Sequence, residues 1–263
     1  MLTALTRPVS RSITRCELTH LPRFPIDLPT AQQQHTIYED TLRSLGVKVI
    51  SLPEEPDMPD AVFVEDTAIV LEECAVLTRP GAATRQPEVK SVAYVLSAFR
   101  TLIQVQAPGT LDGGDVLVVG KTVWIGIGSR TNVIAVDQVE QFLHPHGYSV
   151  HAVPVRGCLH LKSAVTQAAE NILLINPDWV EKSEFPGYNF IEVDPAEHQA
   201  ANILLVGDRA ICQPVFPRTL ARLRSAGIQP LLVDASELGK AEGALTCCSL
   251  LFDVHLPGEH SIR

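Results

Sequence analysis

The sequence has no block of like charge, no apolar run of bilayer length, no disulfide framework and no visible linker. Each absence excludes a class of protein. Only 19% of the 263 residues are charged, and 21 Lys and Arg stand against 30 Asp and Glu, for a formal net charge of −9. Nucleic acid and anionic lipid are bound by clustered Lys and Arg, so neither is an expected partner. A membrane helix needs ~20 consecutive apolar residues, which no stretch approaches. The opening residues, Met1 to Pro8, lack the long apolar core of a secretory signal. The six cysteines (Cys16, Cys74, Cys158, Cys212, Cys247 and Cys248) follow no disulfide spacing and include no C-x-x-C pair. Reduced thiols and a cytoplasmic location are therefore expected.

What is present is a core. Hydrophobic residues make up 46% of the chain, which excludes disorder, and the length suits one large domain or two small ones. Helical periodicity marks residues 30–46, 87–99, 132–147 and 216–227, with a weaker candidate at 177–182. Thr30 is the expected N-cap of the first, and Gly46 its left-handed terminator. Pro217 suits the first turn of the last. Short strands are expected at 47–52, 68–71, 75–78, 103–106, 116–119, 123–127, 149–153, 172–175, 190–193, 203–206, 210–212 and 229–233. Helix starts recur every ~40–55 residues, a spacing open to structural repeats. An ordinary alternating α/β domain fits the pattern alone better. Residues 256–263 are polar and read as a loose tail.

Four segments carry chemistry. Residues 59–67 set Asp60, Glu65 and Asp66 in and beside an apolar stretch. Adjacent carboxylates near a core call for a cation, though a solvated turn would hold them too. Residues 108–116 place two glycines between Asp112 and Asp115, a tight turn before a strand. It is either a plain hairpin or a rigid carboxylate facing a cleft. In residues 157–164, His160 lies between two leucines, either as a structural histidine or as a general acid/base oriented by a carboxylate. In residues 242–251, Cys247 and Cys248 follow a glycine and precede an apolar run. Two buried thiols would look the same. Zinc bound by adjacent cysteines is disfavoured, because both cannot easily reach one tetrahedral ion.

Taken in order, these segments resemble the dimethylarginine dimethylaminohydrolase family of the guanidino-modifying pentein superfamily. The matching pieces are Phe-Val-Glu-Asp (63–66), Thr-Arg-Pro-Gly (78–81) with Arg85, Thr-Leu-Asp-Gly-Gly-Asp (110–115), Ser-Arg-Thr-Asn (129–132), His-Leu-Lys (160–162) and Leu-Thr-Cys-Cys-Ser (245–249). They span nearly the whole chain. The resemblance implies a single pentein-like α/β domain over residues 1–263, a five-bladed propeller with approximate fivefold symmetry and a central active site. It implies Cys247 as nucleophile, His160 as general acid/base and Asp112 as the carboxylate orienting it. Asp66, with Glu65 beside it, would hold the guanidinium. Asp60 and the main chain at Leu18 would meet the α-amino group, and Arg85 and Arg130 the α-carboxylate. Main chain near Ala241 would complete the site, and Glu242 departs from the Asp that many relatives carry there.

Chemistry supports these roles. A guanidinium stays protonated at neutral pH, with a pKa above ~12, and its carbon is a poor electrophile. Attack needs a strong nucleophile, which a thiolate is, and a fixed partner for the cation. The expected partner is thus a small cationic guanidino amino acid. The expected reaction is hydrolysis of Nω-methylated arginine to citrulline and a methylamine, with no metal or organic cofactor. Deiminase-type hydrolysis of free arginine is the nearest alternative, although arginine deiminases are longer and carry an extra helical region. A binding-only propeller, like the ribosome anti-association factor, is the alternative from another class. Oligomeric state is open, a homodimer being one option. The proline-rich segment 16–29 reads as a loop that closes over the substrate. Extended backbone at 247–248 would point adjacent side chains to opposite sides, leaving only Cys247 in the site.

Overall fold

The computed structural model describes residues 1–254; the tail expected at 256–263 lies outside the described residues. The described residues form five three-stranded sheets. Strand β1 (Leu2–Thr6) runs through helix α1 (Leu28–Ser44) to β2 (Lys48–Ser51). The second sheet holds β3 (Ala68–Val70), β4 (Cys74–Leu77) and, after α2 (Val89–Leu96), β5 (Thr101–Gln104). The third holds β6 (Val116–Val119), β7 (Thr122–Ile127) and, after α3 (Val133–Leu143), β8 (Ser149–Pro154). A single turn of helix, α4 (Leu161–Ala164), leads into the fourth, made of β9 (Val165–Ala169), β10 (Ile172–Ile175) and β11 (Asn189–Glu192). The fifth holds β12 (Leu204–Val206), β13 (Arg209–Cys212), α5 (Pro217–Ser225) and β14 (Leu231–Leu232). After the short α6 (Ser236–Gly239), β15 (Leu250–Asp253) returns to pair with β1.

One pattern repeats in every sheet. The middle strand pairs antiparallel on one side and parallel on the other: β15–β1–β2, β3–β4–β5, β6–β7–β8, β9–β10–β11 and β12–β13–β14. The parallel partner is reached by a crossover, in four sheets through a helix that returns the chain. The fourth sheet uses the 3-10 turn Lys182–Glu184 instead, where the sequence led us to expect a weak helix at 177–182. With β15 closing the first sheet, these five blades form the expected five-bladed α/β propeller.

The core explains why the blades form a ring. Buried side chains fall into five clusters, and each joins two neighbouring blades. Val76 of the second blade packs with Ile125 of the third, and Leu117 and Trp124 of the third with Leu173 of the fourth. Leu5 packs with Ala75 between the first and second, Leu174 with Ala210 between the fourth and fifth, and Ala4 with Ile211 between the fifth and first. A lone three-stranded sheet cannot bury its faces; a neighbour on each side can.

Local chemistry sets the helix ends. The N-cap of α1 is Asp27, whose carboxylate accepts from Thr30 N at 2.8 Å, rather than the expected Thr30. Pro29 fits the first turn behind that cap, which moves the start back. Asn132 caps α3 through Ala135 N, and Gly46 and Gly147 take left-handed backbone. Residues 83–88, just before α2, wind as a 3-10 turn. Two strands, β1 and β9, escaped the sequence reading, and β15 showed only as a strand-like apolar run after Cys248. In β1, Thr3 and Thr6 are fully buried beside Ala4 and Leu5, so no alternation survives to be read. Among the described residues, no helix is long and apolar enough to cross a membrane.

Candidate active site

The short turns that lead into the first strands of the blades converge on one end of the ring. Asp66 lies on the 3-10 turn Val64–Thr67 before β3, and Asp112 opens the turn Gly113–Asp115 before β6. His160 stands at the N-cap of α4 before β9, and Cys247 sits on the turn Thr246–Cys248 before β15. Asp60, Asp66, Arg85, Arg130, His160, Ala241 and Cys247 all line one small cavity. Asp112 lies directly behind it, 0% exposed. Leu18 packs on the adjoining core cluster, and its neighbour Glu17 is the one that reaches the cavity wall. Glu65 is not among the residues lining this cavity. It faces a second cavity farther along the ring axis, bound to Lys162 and Thr246.

The imidazole of His160 is fixed by carboxylates. Its Nε2 is 3.0 Å from Asp112 Oδ2, and its Nδ1 is 3.9 Å from Asp66 Oδ1. Asp112 is itself held by Gly81 N at 2.8 Å. Asp115 accepts from Leu161 N at 2.9 Å and from Thr131 Oγ1 at 2.6 Å, tying down the backbone just after the histidine. The paired glycines exist for this packing. A Cβ on Gly113 would lie 2.0 Å from the Glu65 carbonyl oxygen, and one on Gly114 would lie 2.5 Å from His160 Nδ1.

Charge inside the site is high and mostly compensated. Burial alone would lower the His160 pKa, but the carboxylate of Asp66, the Asp112 hydrogen bond and the charge of Asp115 raise it to about 9. Burial would raise the Asp66 carboxyl, yet the His160 and Arg85 cations and the Gly114 N–H hold it at about 2. Burial pushes Asp115 up to about 6. Burial also drives the Cys247 thiol well above its ordinary range, with the charges of Glu65 and Asp66 adding to the effect. At neutral pH the site thus holds a protonated imidazole and a protonated thiol.

The two arginines differ. Arg85 Nη1 donates to Asp66 at 2.6 Å, its Nε and Nη2 reach Glu88, and Nη2 also meets the carbonyls of Asp60 and Phe63. Arg130 donates to Thr19 Oγ1 at 3.0 Å and stands 3.8 Å from Asp112. Asp60 accepts from Glu17 N at 3.1 Å. Glu242, in left-handed backbone at φ 59°, accepts from the N–H groups of Thr19, His20 and Leu21. Its carboxylate therefore clasps the segment 16–29 beside the cavity. Asp66, Asp112 and His160 offer donor atoms within 4.8 Å of one another, a possible set for a metal ion. Arg85 and Arg130 already bring positive charge to those carboxylates, which a dication would have to displace.

Cys248 lies outside the cavity lining, 1% exposed, with its Sγ directed at the Ala244 carbonyl. The separation from Cys247 is not produced by extended backbone, as expected, but by a 3-10 turn, in which adjacent side chains diverge by roughly 120°. The sequence reading also passed over Asp115, Glu88, Thr131 and Asn202. Asp115 and Thr131 stand inside quoted motifs, whereas nothing local marks Glu88 or Asn202.

Known proteins resemble this chain in sequence and in fold. The arginine deiminase family matches residues 54–204. A dimethylarginine dimethylaminohydrolase of Pseudomonas aeruginosa is 35% identical over 228 residues, covering 86% of this chain and 90% of the relative. One from Streptomyces coelicolor is 37% identical over 249 residues, covering 94% of this chain and 95% of the relative. A solved structure of the Pseudomonas enzyme, a cysteine-to-serine variant complexed with citrulline, superposes with a TM-score of 0.91 at 33% identity. That match covers 95% of this chain and 98% of the other.

Proposed function

Because this chain belongs to the dimethylarginine dimethylaminohydrolase branch of the arginine deiminase family, we propose that it hydrolyses Nω-methylated arginine to citrulline and a methylamine. The observation that carries the proposal is the meeting of Cys247, His160 and Asp66 on one cavity, with Asp112 behind the imidazole. We take residues 1–263 as one catalytic domain, since the site draws on turns from several blades.

In this reading the substrate guanidinium lies against Asp66, its α-amino group against Asp60 and its carboxylate against Arg130. Main chain at Leu18 and Ala241 closes around the amino-acid end. Arg85 contributes mainly by fixing Asp66, since its donors are already taken within the protein. Glu65 contributes away from the substrate.

Burial keeps the Cys247 thiol neutral, so the guanidinium has to supply the charge that favours thiolate. On binding, the Cys247 proton leaves to solvent and the sulfur attacks the guanidinium carbon. His160, protonated before the reaction, gives its Nδ1 proton to the departing dimethylamine nitrogen as the C–N bond breaks. Nε2 is held by Asp112, which leaves Nδ1 as the nitrogen that works. The neutral imidazole then takes a proton from water. The resulting hydroxide adds to the thiouronium carbon, the adduct's hydroxyl gives its proton to solvent as the C–S bond breaks, and citrulline and thiolate are regenerated. Every proton transfer is served by His160 or water.

Six free thiols, five of them buried, suit a reducing compartment, and a cytoplasmic location belongs to the same proposal. Citrulline release should be measured from asymmetric dimethylarginine, monomethylarginine and arginine. Higher kcat/KM on the two methylated substrates is expected. Equal or greater efficiency on arginine would move the chain to the deiminase reaction.

A further inference from the structure

Four blades deliver a group to the site from the turn before their first strand: Cys247, Asp66, Asp112 and His160. The fifth blade has the same turn, His198–Ala201, and the residue that follows it before β12 is Asn202. Asn202 is 4% exposed, and its amide makes three hydrogen bonds. Nδ2 donates to Lys162 O at 3.0 Å and to Thr246 Oγ1 at 2.9 Å, and Oδ1 accepts from Thr246 N at 3.2 Å.

The partners of that amide matter more than their number. Thr246 directly precedes Cys247, and Lys162 lies two residues after His160. Thr246 Oγ1 donates onward to Glu65 Oε2 at 2.8 Å, and Lys162 Nζ meets Glu65 Oε1 at 2.6 Å. Glu65 directly precedes Asp66. The ring Asn202–Thr246–Glu65–Lys162 thus closes on itself just behind nucleophile, base and guanidinium carboxylate. Only an amide supplies both the donors and the acceptor that Asn202 uses here.

We propose that Asn202 is a positioning residue for the reaction, locking the segment that carries His160 to the segment that carries Cys247. The assignment rests on the hydrolase reading above. It also gives Glu65 a place as part of the same lock. Displacements of about 1 Å can cost about a hundredfold in rate when reacting groups must meet in one geometry, so a distant amide can set kcat without touching substrate.

The test compares Asn202→Ala and the near-isosteric Asn202→Asp with Asn176→Ala in the full chain. Asn176 is a fair control: it is 1% exposed, donates to His198 O at 2.9 Å, accepts from Asp178 N at 3.0 Å, and lies outside the cavity lining. Thermal midpoints, kcat and KM on asymmetric dimethylarginine are measured well below each midpoint. Both Asn202 variants should lose at least about tenfold in kcat with KM within about threefold, while Asn176→Ala loses stability and keeps kcat within about twofold. A kcat within about twofold of wild type in either Asn202 variant, or an equal loss in Asn176→Ala, overturns the proposal. Alkylation of Cys247 by iodoacetamide without substrate separates this from the hydrolase reading. If wild type turns over no guanidino amino acid, the reaction assignment fails. The lock still stands if the Asn202 variants alone alkylate at least about threefold more slowly, and falls if their rate is unchanged.

Discussion

His160 Nε2 and Asp112 Oδ2 stand 3.0 Å apart with both groups out of water. The contact fixes the ring and, with Asp66 on the other side, holds a proton on it that free histidine would lose near pH 6.5. The His160 pKa in the folded protein is about 9. A group raised by folding stabilises the protein fully below its unfolded value. That contribution disappears as pH rises through its folded value. The thermal midpoint of the wild type should therefore fall between pH 7 and pH 10. In His160→Gln, which keeps Cys247 and its own titration, the fall should be smaller by on the order of 5 °C. Parallel melting curves for the two proteins across that range would show that the imidazole carries no such proton.

Asp66 faces the guanidinium in the proposed complex while also pairing with Arg85 and Gly114 N. Asp66→Asn keeps the shape and an acceptor for Gly114 but removes the charge. Removing one partner of a buried ion pair costs about 3–5 kcal/mol. A fall in kcat/KM of at least about a hundredfold is expected, with the far-ultraviolet spectrum unchanged. An efficiency within about threefold of wild type would place the guanidinium elsewhere.

The elements were largely legible because their signals are local. The terminator Gly46, the first-turn Pro217 and the periodic faces of α2 and α3 depend on a few neighbouring residues. Strand β1 was not legible. It pairs with β15 from the far end of the chain, and burial on both faces removes the alternation that would reveal it. The site divides in the same way. Asp112 and Gly113-Gly114 announce themselves as a turn, and His160 and Cys247 as chemically able groups. Asn202 is one asparagine in Ala-Ala-Asn-Ile, and its meaning comes from Lys162 and Thr246, each at least 40 residues away. The surroundings of Glu65 were hidden for a related reason. The resemblance sets it beside Asp66, but residues next to each other on a 3-10 turn diverge, and Glu65 faces Lys162.

Arg85 and Arg130 were expected to share one job, the substrate carboxylate, but their surroundings separate them. Arg85 balances Glu88 and Asp66, both 2% exposed. Burial already pushes Glu88 up to about 7 despite that arginine. Arg85→Ala strands two buried carboxylates and should cost about 3–5 kcal/mol in urea denaturation. Arg130→Ala leaves Thr19 and a distant Asp112, so its main effect should be on binding, with KM raised about tenfold or more and stability nearly unchanged. An Arg85→Ala protein as stable as wild type, defective only in KM, would return Arg85 to the substrate.

Cys247 and Cys248 are chemically identical neighbours with different surroundings. Cys247 lines the cavity with His160 and Asp66, whereas Cys248 packs in the core near Tyr38 and Leu245. Burial raises both thiols, so neither is ionised at neutral pH. Only Cys247 can gain from an arriving guanidinium. Cys247→Ser replaces sulfur with a hydroxyl that hardly ionises near pH 7, and turnover should fall by about three orders of magnitude or more while substrate binding survives. Cys248→Ser places a hydroxyl in an apolar site and should cost about 1–3 kcal/mol of stability with most activity retained. Mass spectrometry after treatment with a thiol alkylating agent provides the second check. Label should appear at Cys247, be suppressed by citrulline, and stay low at Cys248 until the protein is unfolded. Activity in Cys247→Ser with none in Cys248→Ser would mean that the turn Thr246–Cys248 presents the other sulfur to the substrate. The nucleophile would then shift by one residue along the chain.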